Sequence, residues 1–260
     1  MKRRVCLVPA ALAAVAAAMV LPASAWTGAT RARLIRDALK VTPPSLNAIL
    51  DHYRDELDRG MEIPSGHETE EVHYQLADGS AGLAAAAVAQ KKEEAQALLA
   101  GKHGLKKFAF EMGTLAHLTA DVSFPLNASD SDPREPLYRE AYRAYIEHAL
   151  DHIPFVLDPA AATGVDDLGV EARMMESARR TARNYDQIGA AFKDDGTPRT
   201  PQSLDERSVP FAVASLAYSQ AVNDIVRVWC RLWRASGGDM TGGKTSPGAA
   251  DPPVPAGRKR

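Results

Sequence analysis

The sequence predicts an all-α fold, built as a single multi-helix, bundle-like domain. Apolar residues recur at three- and four-residue spacing through most of the chain, which is typical of helices with one buried face. No segment shows the strict alternation of apolar and polar residues that indicates a strand. About 210 residues lie between an apolar leader and a polar tail, which is enough for one domain with a substantial core.

The first 25 residues are predicted to be a secretory signal peptide. Three basic residues precede an Ala/Val/Leu-rich core, and the small residues at 23–25 form a cleavage site. Cleavage would make Trp26 the new N-terminus and leave Cys230 as the only cysteine, so no internal disulfide can form. We therefore expect a secreted or periplasmic protein.

Charge and hydropathy limit the possible partners. Removing the three positive charges of the leader moves the formal net charge from -2 to -5. This mild acidity argues against a strong affinity for nucleic acid. No apolar run after the leader approaches the roughly 20 residues that span a bilayer, so we expect no transmembrane segment. No pattern in the sequence indicates an oligomeric state.

The first half of the domain should contain three helices. Helical spacing predicts helices over 30–40 and 44–59, separated by the Thr-Pro-Pro break at 42–44. Residues 60–79 contain several Gly and Pro and are expected to form a long loop, a kind of segment that often carries function. The Ala-rich segment 80–100 has a charged side and should be a strong helix.

The second half should contain four helices followed by a tail. We predict these helices from the same apolar spacing, at 104–122, 137–152, 166–193 and 207–235. A polar, Pro-containing loop covers 123–136, and a Gly/Pro/Asp linker covers 194–203. The domain is expected to end at 236, because residues 237–260 contain almost no large apolar side chain and should be disordered.

His117 and Asp121 are the first candidate site residues. They lie four residues apart in a predicted helix, so both side chains leave the same face one turn apart. An imidazole and a carboxylate in this arrangement form half of a site for a divalent metal such as zinc. The alternative is a buried histidine that is simply hydrogen-bonded to an aspartate.

Several motifs in the same order resemble the zinc-dependent phospholipase C and S1/P1 nuclease superfamily. Trp26 at the mature N-terminus is followed by the segment 56–60, by a loop histidine, His73, and by the pattern Gly-x-x-x-His-x-x-x-Asp-x-x-x-Pro over 113–125. The closing helix, with two tryptophans, is also similar. The resemblance implies a secreted all-α domain and a zinc cluster.

The resemblance also implies roles for individual residues. The equivalents of His73 and His117 hold one zinc in this family. The equivalent of Asp121 bridges two metals and positions the attacking water, so Asp121 is the expected catalytic residue. Trp26 would contribute its free amine and carbonyl to a metal, or would only anchor the N-terminus through its ring. His67 is a possible further ligand.

Other positions depart from the family pattern. Asn127 stands where the family has a histidine, and Tyr138 and Tyr142 stand at the best match for its His-x-x-x-Glu pair. No histidine occurs in 27–51, where the family has an early ligand. We therefore expect one zinc ion at most.

These residues predict a metal-dependent hydrolase of phosphodiester bonds, acting on a phospholipid head group or a nucleotide. The alternative is a non-catalytic descendant that binds a ligand or a partner.

Two further groups allow two interpretations each. His148, Asp151 and His152 could bind zinc or could place cations at a helix C-terminus. Three helix arginines could contact phosphate or could simply be solvated, namely Arg134, Arg139 and Arg143.

Overall fold

The computed structural model describes residues 25–62, 69–101 and 104–241. Nine α-helices lie within these ranges: α1 (Gly28–Val41), α2 (Pro44–His52), α3 (Arg54–Glu62), α4 (Ala84–Ala100), α5 (Leu105–Val122), α6 (Glu135–Ala149), α7 (Val170–Ala182), α8 (Tyr185–Gly189) and α9 (Val209–Ala235). The described residues contain no β-strand, only isolated bridges. The predicted all-α class is therefore confirmed, while residues 1–24 of the expected leader and 242–260 of the expected tail lie outside the described ranges.

Helix α9 runs through the core and packs against α1, α5 and α7. Ser208 caps its first turn by accepting a hydrogen bond from the Phe211 amide, and Pro210 follows in that turn, where a missing N–H costs nothing. The buried indole of Trp229 donates to the Met112 carbonyl at 3.1 Å. This bond ties α9 to the middle of α5.

Helices α3 and α5 cross at two glycines, Gly60 and Gly113. A Cβ atom added to Gly60 would lie 2.1 Å from the Phe110 carbonyl oxygen, and one added to Gly113 would lie 2.0 Å from the Leu57 carbonyl oxygen. Only glycine permits so close an approach of the two backbones. The crossing places the C-terminal end of α3 beside the buried second half of α5.

Two of the predicted helices differ from those in the structure. The expected helix 44–59 is two helices, because the backbone at Tyr53 leaves the helical region with φ -108° and ψ 40°. Helix α3 then continues through Gly60 to Glu62, so the expected loop begins later. The expected helix 166–193 starts at Val170 and is interrupted between α7 and α8.

A buried arginine holds the long connection between α6 and α7 against α9. Arg227 pairs with Asp224 on its own helix at 2.6 Å, with Asp158 at 2.7 Å and with Asp166 at 3.7 Å. Asp166 also accepts two hydrogen bonds from Arg173 at the start of α7. Because these ion pairs hold Asp166 against α9 and α7, residues 166–169 do not form the helix that the sequence pattern predicts there.

Within the described part of the chain, no helix is both long enough and apolar enough to cross a membrane.

Candidate metal centre

Three buried side chains converge between α5 and the segment that follows α3. One ligand atom from each of His73, His117 and Asp121 lies within 4.8 Å of the others. All three residues are buried, and Asp121 is only 1% exposed. The loop histidine expected from the sequence therefore does fold back to meet the pair on the helix.

Helix α5 supplies His117 and Asp121 one turn apart, with His117 Nε2 at 3.3 Å from Asp121 Oδ2. The other ring nitrogen, Nδ1, lies 2.7 Å from the Met61 carbonyl oxygen across the glycine crossing. Because a carbonyl oxygen only accepts, Nδ1 must carry a proton and donate it. Nε2 then faces the side chain of Asp121, and with the carboxylate ionised that contact is attractive only if Nε2 is protonated or a cation lies between the two atoms.

His73 ends a 3₁₀ turn, Glu70–His73, that carries its ring to the same carboxylate. Its Nδ1 lies 2.7 Å from Asp121 Oδ2 and donates to that oxygen, because an ionised carboxylate only accepts. The chain after His73 is held by backbone hydrogen bonds from the Gln75 amide to the Asn127 carbonyl and from the Ala77 amide to the Ala128 carbonyl.

The charges of the cluster are coupled. Burial by itself lowers the pKa of His117, but the Asp121 carboxylate and the Met61 carbonyl outweigh it and leave the pKa above its ordinary value. Burial likewise raises the pKa of Asp121, but His117 and His73 outweigh it and leave the pKa below its ordinary value. The folded cluster therefore favours a carboxylate beside a positive charge.

The donor set fits a zinc ion. Bonds of roughly 2.0–2.1 Å in a tetrahedron place two ligand atoms about 3.4 Å apart. The 3.3 Å between His117 Nε2 and Asp121 Oδ2 matches that spacing. The 2.7 Å between His73 Nδ1 and Asp121 Oδ2 is shorter, so this imidazole would withdraw by about 0.7 Å and give up its Nδ1 proton to join the same ion. Asp121 Oδ1 is buried and has no hydrogen-bond partner among the described residues, so a second carboxylate oxygen is also available.

Asn127 is hydrogen-bonded to the backbone of the cluster. Its side-chain nitrogen donates to the His73 carbonyl at 2.8 Å and to the Asp121 carbonyl at 3.1 Å. Its side-chain oxygen accepts from Arg139 at 3.0 Å, and Arg139 is paired with Glu135 at 2.7 Å. The sequence interpretation treated Asn127 only as a lost ligand and overlooked Glu135; the i,i+4 spacing of Glu135 and Arg139 was the available signal.

Tyr138 and Tyr142, the best sequence match to the family's second ligand pair, are packing residues. The Tyr138 ring stacks on Phe192 with centroids 4.8 Å apart, and its hydroxyl donates to Asp132. The Tyr142 hydroxyl donates to the Pro210 carbonyl. The α6 side chain that donates hydrogen bonds to Asn127 and to the Leu126 carbonyl is instead that of Arg139.

The remaining candidates make other contacts or fall outside the described residues. Trp26 anchors the N-terminal segment, since its Nε1 donates to the Ala120 carbonyl at 2.9 Å and its ring meets Phe124 edge-on; its main-chain role toward a metal stays a prediction. His67 falls outside the described residues. His152 pairs with Glu206, and in the described part of the chain only the cluster of His73, His117 and Asp121 converges.

A cleft of about 440 Å³ opens onto His73. Its lining includes Tyr74, the Glu135–Arg139 ion pair and three carboxylates, from Glu70, Glu71 and Asp130. The three carboxylates belong to exposed residues, whereas Asn127 lies at the buried end. Of the three cluster residues, only His73 lines this cleft.

Comparison with solved structures supports the fold. The alpha-toxin of Clostridium absonum superposes with a TM-score of 0.59 and 12% sequence identity over 80% of this chain and 63% of that chain. An alpha-toxin of an avian strain of Clostridium perfringens gives 0.60 and 14% over 84% and 66%. This chain thus spans less than two thirds of either protein. The fold is the helical phospholipase C fold of the alpha-toxins, as the sequence resemblance predicts. No family model and no curated sequence matches the chain.

Proposed function

We propose that this protein is a metal-dependent phosphodiester hydrolase that works with a single zinc ion held by His73, His117 and Asp121. The proposal depends mainly on one observation, the contact between His117 Nε2 and Asp121 Oδ2 at 3.3 Å. Because Nδ1 of that ring already donates to Met61, this contact requires a positive charge between the two residues. A proton supplies it in the metal-free protein, and a metal ion can replace the proton.

Zinc would supply polarisation of a phosphoryl oxygen and a lowered pKa for the attacking water. The protein's own residues would do the rest. Met61 fixes the His117 ring through Nδ1, which is the usual way in which a metal-binding histidine is oriented. Asp121 faces both imidazoles with Oδ2 and keeps Oδ1 to accept a hydrogen bond from the attacking water.

In the proposed reaction the water oxygen forms a bond to phosphorus while the bond from phosphorus to the ester oxygen breaks. Asp121 accepts the proton of the water, and the departing alkoxide takes up a proton from solvent. The substrate class is a phosphodiester of a lipid head group or a nucleotide that fits the cleft beside His73. We further propose that the protein acts outside the cytoplasm after removal of its first 25 residues.

Metal content and activity test this proposal directly. Purified mature protein should contain about one zinc per chain by elemental analysis, and His117→Ala should contain almost none. His152→Ala, which removes an exposed histidine paired with Glu206, is the matched control and should keep its zinc. The protein should hydrolyse a chromogenic phosphodiester, and both a chelator and Asp121→Asn should abolish that activity. Wild-type protein without zinc after incubation with excess metal would refute the proposal.

A second candidate, a non-catalytic descendant that binds a ligand or partner, is favoured by a different observation. The cluster is internally satisfied without a metal, because Asp121 Oδ2 accepts from both imidazoles when His117 is protonated. In that case the protein would bind no zinc tightly. It would retain its melting temperature in a chelator, and it would show no phosphodiesterase activity.

A further inference from the structure

A chain of hydrogen bonds runs from α8 to the metal centre. The Tyr185 hydroxyl donates to Glu135 at 2.7 Å, and Arg139 donates to the other oxygen of Glu135 at 2.7 Å. Arg139 also donates to the Asn127 side-chain oxygen at 3.0 Å and to the Leu126 carbonyl at 2.6 Å. Asn127, at the inner end of the chain, is 4% exposed.

This chain fixes which way the Asn127 amide points. Guanidinium groups only donate, so the oxygen of the amide must face Arg139. The nitrogen of the amide must then face the carbonyls of His73 and Asp121, which only accept. One side chain thus joins the backbones of two residues that are 48 positions apart and whose own side chains meet at 2.7 Å.

We infer that Asn127 is the positioning residue of the metal centre, and that the Arg139–Glu135 pair holds it in place. Asn127 donates to the carbonyls of His73 and Asp121 and thereby sets the distance between the loop ligand and the helix ligand. The inference rests on the proposed function, because it assumes that these side chains bind zinc. In this role Asn127 orients two metal ligands through hydrogen bonds and does not bind the metal itself.

The structure offers a matched control for a merely structural role. Asn223 is also buried, and its side-chain nitrogen also joins two backbone carbonyls, those of Val156 at 2.9 Å and Ser219 at 2.8 Å. Its oxygen accepts from the Asp158 amide. None of these partners belongs to the cluster. Loss of either asparagine should therefore reduce stability, but only loss of Asn127 should weaken metal binding.

The experiment compares zinc affinity in full-length mature variants by competition with a chromophoric chelator. Asn127→Ala should bind zinc about 10- to 100-fold more weakly than wild type, the usual effect of removing a group that orients a metal ligand. Asn223→Ala should stay within about threefold of wild type. Arg139→Met keeps Asn127 but releases its amide, so it should weaken zinc binding in the same direction and replaces Asn127→Ala if that variant does not fold. The visible spectrum of the cobalt-loaded protein should change in Asn127→Ala and not in Asn223→Ala.

Two results of the zinc-affinity comparison would overturn the inference. Zinc affinity in both Asn127→Ala and Arg139→Met that equals the wild-type value would show that the network only supports the fold. An equal loss in Asn223→Ala would show that any local destabilisation is enough. If wild-type protein binds no zinc, the proposed function fails, and NMR of the metal-free protein decides the role of Asn127. The His73 imidazole proton bonded to Asp121 should then give a low-field resonance that is lost in Asn127→Ala and kept in Asn223→Ala, and its persistence in Asn127→Ala would refute the inference.

Discussion

Replacing Gly113 by alanine should disturb both the fold and the candidate site. The new Cβ would lie 2.0 Å from the Leu57 carbonyl oxygen, whereas ordinary contact begins at 3.4 Å, so α3 and α5 must separate by about 1.4 Å. Met61 lies on α3 beside this point and would move with it. The 2.7 Å hydrogen bond from His117 to the Met61 carbonyl would then lengthen to about 4 Å and be lost.

The cost of this substitution can be estimated from three contributions. Overpacking costs about 1–3 kcal/mol, and the lost buried hydrogen bond costs about 1–3 kcal/mol. The better helix propensity of alanine returns about 1 kcal/mol. The expected net loss is about 3 kcal/mol, which corresponds to a melting temperature lower by about 6–12 °C in a domain of this size.

Thermal and urea unfolding of the metal-free protein, measured in the presence of a chelator, give this loss. Gly169→Ala is the matched control, because a Cβ there meets nothing within 4 Å and its φ of -62° suits any residue. It should cost no more than about 1 kcal/mol, because Gly169 is the N-cap of α7 and alanine caps a helix less well than glycine. Gly60→Ala enters the same crossing from the opposite helix and should behave like Gly113→Ala. A Gly113→Ala protein as stable as the Gly169→Ala protein would refute the close crossing.

In the chelated protein, the stabilisation from the His117–Asp121 pair should be complete between about pH 4 and pH 6.5. It should be lost as the pH rises through the raised pKa of folded His117, and as the pH falls through the lowered pKa of folded Asp121. Urea unfolding across pH measures this, and an Asp121→Asn profile parallel to wild type would contradict it. Arg227→Met leaves the buried carboxylate of Asp224 without its cation, although Asp166 keeps Arg173, and should cost about 3–5 kcal/mol in urea unfolding; a loss below about 1 kcal/mol would show that the pair contributes little. Trp26→Ala should cost about 3–5 kcal/mol, whereas Trp26→Phe should cost about 1–3 kcal/mol because it loses the bond to Ala120 but keeps an aromatic ring against Phe124; equal losses would assign the anchor to the indole N–H.

The helical class and the pair on α5 could be predicted because both depend on local spacing. Residues four apart on a helix share a face whatever the rest of the chain does, so His117 and Asp121 were predictable from the sequence alone. The convergence of His73 was predictable only from the family resemblance. It depends on backbone pairing between the segments at 75–77 and 127–128, and no local pattern encodes that pairing.

The helix breaks and the role of Asn127 could not be predicted, since tertiary contacts decide them. Residues 166–169 have a helical pattern, but Asp166 is held by Arg227 from another helix. Gly60 suggests a loop, but it lies inside α3. A glycine stands there because the Phe110 carbonyl approaches too closely for any side chain. The role of Asn127 depends on its amide nitrogen facing two carbonyls, and no local sequence pattern encodes that contact.

The charge at the cluster decides which candidate function the chain can perform. With a proton between His117 and Asp121, the two residues neutralise each other, and the cleft keeps the three carboxylates of Glu70, Glu71 and Asp130. Among the described residues that line the cleft, Arg139 is already bonded to Glu135 and Asn127, so it adds little attraction for a phosphate group. Under the proposed function, a divalent cation in place of the proton would leave a net positive charge at the buried end, where a phosphoryl oxygen would bind. Binding of metal and of phosphodiester should therefore be coupled, and a metal-free descendant would have to select a neutral or cationic ligand instead.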